Sequence, residues 1–116
     1  MFLTLNHPKL EIYSTSKQLI LECYKLTKLL PDTEKFGMIS QIRRAALSVH
    51  LNVAEGASRK SISERKRFYE IARGSIVEID AALDIGKELN YFEPAAINIP
   101  GESLIKCFKI LTGLIK

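Results

Sequence analysis

Apolar residues recur along this chain at steps of three and four, and no stretch reads as a strand. Ile12, Leu19, Cys23, Leu26 and Leu30 make the first apolar face. They predict a helix over about 8–30, opened by Pro8 and stopped by Pro31–Asp32. Asp32 is placed to cap the second helix. That helix is expected over about 33–55, with Ile39, Ile42, Ala46, Val49 and Val53 as its seam. Leu47, Leu51 and Ala54 form a second apolar strip beside it. A wide core-facing stripe would explain that strip, and so would cover by another subunit. The subunit is preferred.

Gly56 is a natural stop for the second helix, and Ser61 or Ser63 can cap the third, expected over about 61–89. Its seam is Phe68, Ala72, Ser75, Ile79, Ala82 and Gly86, widened by Ile71, Ile76, Leu83 and Ile85. Asn90–Tyr91–Phe92–Glu93–Pro94 ends it. A last helix is expected over about 96–115, clearest from Glu102 to Leu114, with Leu104, Phe108, Leu111 and Ile115 inward. Four helices on short connections predict an all-α, antiparallel, up-down-up-down four-helix bundle in a single domain. Pairing the middle helices around Ala57–Lys60 sets level those residues whose numbers add to roughly 118–120. Ala45 and Ala46 then face Gly74 and Ser75, and Arg44 comes near Glu78.

A hydrophobic share of 47% suffices for one core, and a charged share of 26% fits an ordinary soluble protein. No apolar run approaches the roughly 18–20 residues that span a bilayer. The first residues lack the basic start and cleavage site of a secretory signal, so a cytoplasmic protein is expected. Cys23 and Cys107 stand alone in apolar helical patterns, as buried small hydrophobes in a reducing compartment would. No paired-cysteine or Cys/His motif suggests zinc, and no cofactor is expected.

Charge changes the picture most. Residues 41–75 hold all six arginines and carry eight basic side chains: Arg43, Arg44, Arg59, Lys60, Arg65, Lys66, Arg67 and Arg73. Against them stand Glu55, Glu64 and Glu70, so the segment carries +5 while the whole chain carries +4. Such a local field attracts a polyanion, and these eight are the candidate nucleic-acid-binding residues. Five of them crowd the start of the third helix, where cations oppose the macrodipole. Phe68 and Tyr69 are the only aromatics among them, and Phe68 belongs to the seam. Contact with backbone phosphate is therefore expected rather than base stacking. Arg44 and Arg73 are the two expected to be held in ion pairs. Asn52 and Glu55 can hydrogen-bond the following loop. Asp80, Asp84 and Glu88 share a face that reads as solvated. Arg44 and His50 have a spacing like that of HEPN-type ribonucleases, which would make them a catalytic pair. Ala45 stands where a polar residue is usual there, a surface histidine is the simpler reading, and no enzyme is expected.

The run Gln41–Ile42–Arg43–Arg44–Ala45–Ala46–Leu47–Ser48–Val49–His50–Leu51–Asn52–Val53–Ala54–Glu55–Gly56 resembles the four helix bundle protein family, also called the 23S rRNA intervening-sequence protein family. The likeness takes in Phe36–Gly37, Arg59, Phe68, Ile71–Ala72–Arg73–Gly74–Ser75 and Glu78, and covers roughly residues 10–92. The resemblance implies a left-handed antiparallel bundle assembled as a homopentameric ring. It also implies that the extra strip on the second helix, or its counterpart, is buried between subunits. Some members are encoded inside intervening sequences of bacterial 23S rRNA genes. A similar accessory protein of diversity-generating retroelements works with a reverse transcriptase and binds nucleic acid through a basic surface. The family supplies no catalytic residues, and His50 stands where it often has proline. The expectation is a bacterial oligomer that binds RNA or DNA. The alternatives are a scaffold for an acidic protein or an accessory subunit of a reverse transcriptase, with a ribonuclease last.

Overall fold

Four amphipathic helices and two short 3-10 turns carry the chain. The computed structural model describes residues 2, 3, 5 and 10–116, so the predicted opening at Pro8 lies outside the described residues. The helices are α1 (Glu11–Thr27), α2 (Met38–Ser58), α3 (Ile62–Glu88) and α4 (Asn98–Ile115). The turns are Asp32–Glu34, between α1 and α2, and Pro94–Ile97, before α4. Among the described residues there is no strand. Each helix packs on two neighbours: α1 on α2 and α4, α3 on α2 and α4. The predicted all-α bundle of four helices is what forms.

The core follows the predicted seams closely on α1 and α2. Ile12, Leu19, Cys23, Leu26 and Leu30 are buried, as are Ile42, Ala46, Val49 and Val53. Ile39 is only partly buried, and Ala45 joins the core. Two aromatic positions differ from expectation. Tyr69 takes the core place predicted for Phe68, and Cys107 takes the place predicted for Phe108, which is 40% exposed. Ile71 and Ile85 do not widen the α3 seam but face water. Leu47 and Leu51 are exposed and Ala54 is half-buried, so the two leucines of the second strip of α2 have no full cover among the described residues.

The ends of α2 also differ. Asp32 does not cap it, because residues 32–34 form their own 3-10 turn and α2 begins only at Met38. Gly56 is not its stop. It lies buried inside the last turn, where an added Cβ would come 2.9 Å from Tyr69 Cε1 and 3.1 Å from Phe68 Cβ. Glycine is there for close approach of two helices rather than for a left-handed cap. Because α2 runs on to Ser58, its register against α3 slides by about one helical turn from expectation. Ser75 Oγ donates to Ser48 Oγ at 3.0 Å, and Met38 Sδ lies level with Gly86. Gly74 therefore has open space beside it instead of Ala45 or Ala46.

The far end of α3 closes with a Schellman motif. Tyr91 N–H donates to Gly86 O at 2.9 Å and Asn90 N–H to Lys87 O at 3.0 Å, with Asn90 at φ 60°. Phe92 then folds back onto Gly86, where an added Cβ would come 2.5 Å from its ring. Burial pushes both Cys23 and Cys107 thiols up to about 12. Neither is in a disulfide.

Gly56→Val should destabilise the fold by about 1–3 kcal/mol, read from urea unfolding, because Tyr69 must leave its place to admit the side chain. The buried thiols set an alkaline limit. A raised pKa in the folded state means that stability is whole below pH 9 and is lost as pH rises from 9 towards 12. Cys23→Ala/Cys107→Ala should flatten that loss in melts taken across the same range.

Candidate nucleic-acid interface

The α2–α3 tip is built from backbone first. Arg59 and Ser61 both adopt extended conformation, which ends α2 and starts α3 within three residues. Ser61 is the cap, its Oγ accepting from Glu64 N–H at 3.1 Å. That sharp reversal brings Arg59, Lys60, Arg65, Lys66 and Arg67 to one end of the bundle.

These five cations are not equivalent. Arg65 reaches back past the α3 cap to the connection before it. Its Nη1 donates to Arg59 O at 3.0 Å and to Lys60 O at 2.8 Å. The charge that opposes the α3 dipole is thus spent on carbonyls just beyond the C-terminal end of α2, where a cation is favourable. Arg59 pairs with Glu55 at 2.9 Å, and its guanidinium lies 5.0 Å from the centre of the Phe68 ring. Both partners of that pair are about half exposed, so the pair holds Arg59 only weakly. Lys60 and Arg67 are exposed and Lys66 is half-buried. Among the described residues none of these three side chains makes a hydrogen bond or ion pair.

The other three arginines lie elsewhere and point to three different neighbours. Arg43 serves the α1 contact: Nε donates to Thr27 Oγ1 at 2.8 Å, Nη2 to Tyr24 O at 3.5 Å, and the guanidinium stacks 4.6 Å from the Tyr24 ring. Arg73 serves the α4 contact, donating to Thr112 Oγ1 at 3.2 Å beside the Phe108 ring. Arg44 is exposed and shares a shallow polar depression with Gln41, Ser48 and Glu78. The ion pairs expected for Arg44 and Arg73 do not form: among the described residues the single ion pair is Arg59–Glu55. Arg44 stands about 22 Å of helix away from the tip.

His50 is not a surface histidine. It is half-buried against α1, with Nδ1 2.8 Å from Ser16 Oγ and its ring 4.4 Å from that of Tyr13. Arg44 faces α3, so the two do not converge within one chain. Asn52 bonds back to Ser48 rather than to the loop, while Glu55 does reach it through Arg59. Asp80, Asp84 and Glu88 are exposed, and among the described residues no three acidic, histidine or cysteine groups gather as metal ligands would.

A model of the 23S rRNA-intervening sequence protein family matches residues 8–113, through all four helices and the tip between them. The chain belongs to that family. Nothing among curated proteins matches it. The match spans nearly the whole bundle, while the division of labour among the arginines comes from this chain's own contacts. Thr27, Tyr24, Thr112 and Phe108 were missing from the candidate residues. Thr27, a polar group in a seam position, was the one available signal.

Arg65→Met should loosen the tip and cost about 1 kcal/mol, since two hydrogen bonds to a charged donor disappear in a solvated setting. Arg67→Met should stay within about 0.5 kcal/mol of the parent. Equal effects in chemical denaturation would show that Arg65 braces nothing.

Proposed function

We propose that this protein binds the phosphate backbone of RNA or DNA through the α2–α3 tip, without catalysis, as a self-assembled ring. One observation carries the reading: the side chains of Lys60, Lys66 and Arg67 sit together at one end of the bundle with no hydrogen-bond or ion-pair partner among the described residues. Arg59 joins them by exchanging an exposed carboxylate for phosphate, and the N–H groups at the start of α3 lie beside them. Arg43, Arg65 and Arg73 are set aside from binding by their contacts with α1, the tip backbone and α4. Arg44 remains a second, separate point of positive charge.

Self-assembly is supported by the apolar surface that the single chain leaves in water. Leu47 and Leu51 on α2 have no full cover among the described residues, as expected of a strip that meets another copy. The homopentamer implied by the family likeness is adopted as the working assembly. Five tips in one ring convert weak single contacts into firm binding through effective concentration.

Affinity for single-stranded RNA and duplex DNA, measured across a salt series, tests this. The logarithm of the binding constant should fall linearly with the logarithm of salt concentration. Lys60→Ala/Lys66→Ala/Arg67→Ala should weaken binding at low salt and flatten that line by about 0.7–0.9 for each phosphate no longer neutralised. Arg73→Ala should change the slope little. An oligomer that binds no nucleic acid at low salt would instead support a scaffold with an acidic protein partner.

A further inference from the structure

An open groove of about 480 Å³ runs between α1 and the start of α4. Leu21, Leu29 and Ile99 line it, and each is more than half exposed. Glu22 stands on its α1 wall. The carboxylate oxygen Oε2 accepts from Gln18 Nε2 at 3.1 Å, but Oε1 is shut off from solvent with no hydrogen-bond partner among the described residues. Lys25 lies on the rim and makes no ion pair with it. An acceptor that has lost water and gained nothing is a cost within the single chain. Among the described residues Glu22 has no ion pair either, so its negative charge stands uncompensated on this wall of the groove.

The chain itself carries a matching projection. Phe36, in the α1–α2 connection, is 89% exposed, with the Lys35 ammonium 5.6 Å from its ring centre. An aromatic ring beside a cation complements an apolar groove beside an anion short of a partner. The two also lie at the same end of the bundle. Tyr91 O–H donates to Glu34 Oε2 at 3.0 Å and so ties the turn before Phe36 to the segment that leads into α4.

We propose that Phe36 of one copy seats in the α1–α4 groove of the next, with Lys35 bringing its ammonium to Glu22. This rests on the reading that the protein assembles with itself, and names the contact. Projection and groove are different surfaces, so the contact is head-to-tail and each copy both gives and receives. Repetition about an axis along the helices closes a ring. Phe36 precedes α2 and the basic tip lies beyond its other end, about 30 Å away along a 21-residue helix. The ring therefore gathers every tip on one face and leaves it uncovered.

Phe36→Asp and Ile99→Asp change exposed positions, so each should keep its helical circular dichroism and thermal melt. In solution-mass measurements each variant alone should fall from the parent assembly to single 13.1 kDa chains. Mixed, they should form a species of two chains and no larger, because the first retains an intact groove and the second an intact Phe36. Lys35→Ala should raise the concentration of half-assembly several-fold, and no change would overturn the Lys35–Glu22 contact. A parent oligomer that neither aspartate disturbs would overturn the interface and leave the ring standing. Two monomeric variants that fail to pair on mixing would also overturn it. A parent that is monomeric would overturn both readings together.

Discussion

The close approach of α2 and α3 is the contact on which the rest of the molecule hangs. It needs a residue without a side chain at Gly56, where the Tyr69 ring occupies the space of a Cβ, and small hydroxyls at Ser48 and Ser75. At the other end Gly86 admits Phe92 in the same way. With those three points set, α2 is held to Ser58 and the reversal into α3 is confined to Arg59–Ser61. A longer, looser connection would scatter the basic side chains. The tight one gathers five of them at a single end.

Gathering alone does not make a binding surface, and the arginines show why. A guanidinium has five donors and a flat face, so within a bundle it is the cation most readily drawn into packing. Arg43 and Arg73 span from the central pair of helices to α1 and α4, each bonding a threonine and lying against an aromatic ring. Arg65 braces the tip backbone. The two lysines and Arg67 are left to the solvent. Positive charge thus stitches the helices and, in the function proposed, presents a face to a polyanion, and the same short segment supplies both.

Much of the fold was legible in the sequence because α1 and α2 carry clean three-four spacing, and every predicted seam residue of α1 is buried. What failed were points where one residue type serves two geometries. Gly56 reads as a helix stop, yet a buried glycine can equally mark a close helix contact, and only the partner Tyr69 tells them apart. Phe68 and Tyr69 are adjacent and aromatic, so a register error of a single residue exchanges core and surface. The candidate site was legible as a charge cluster and no further. Thr27 and Thr112 are distant in sequence, and nothing in the chain's order reveals that they take Arg43 and Arg73 out of the cluster.

Phe36 and the basic tip lie at opposite ends of α2, so the proposed assembly and the proposed binding use different residues. The central claim is that the unpartnered cations of the tip touch nucleic acid. Lysine acetylation, mapped by mass spectrometry with and without RNA under low salt, tests it most directly. Lys60 and Lys66 should be protected by RNA, while Lys87, Lys106 and Lys109 should react as before. Protection spread evenly over all lysines, or confined to positions away from the tip, would contradict it.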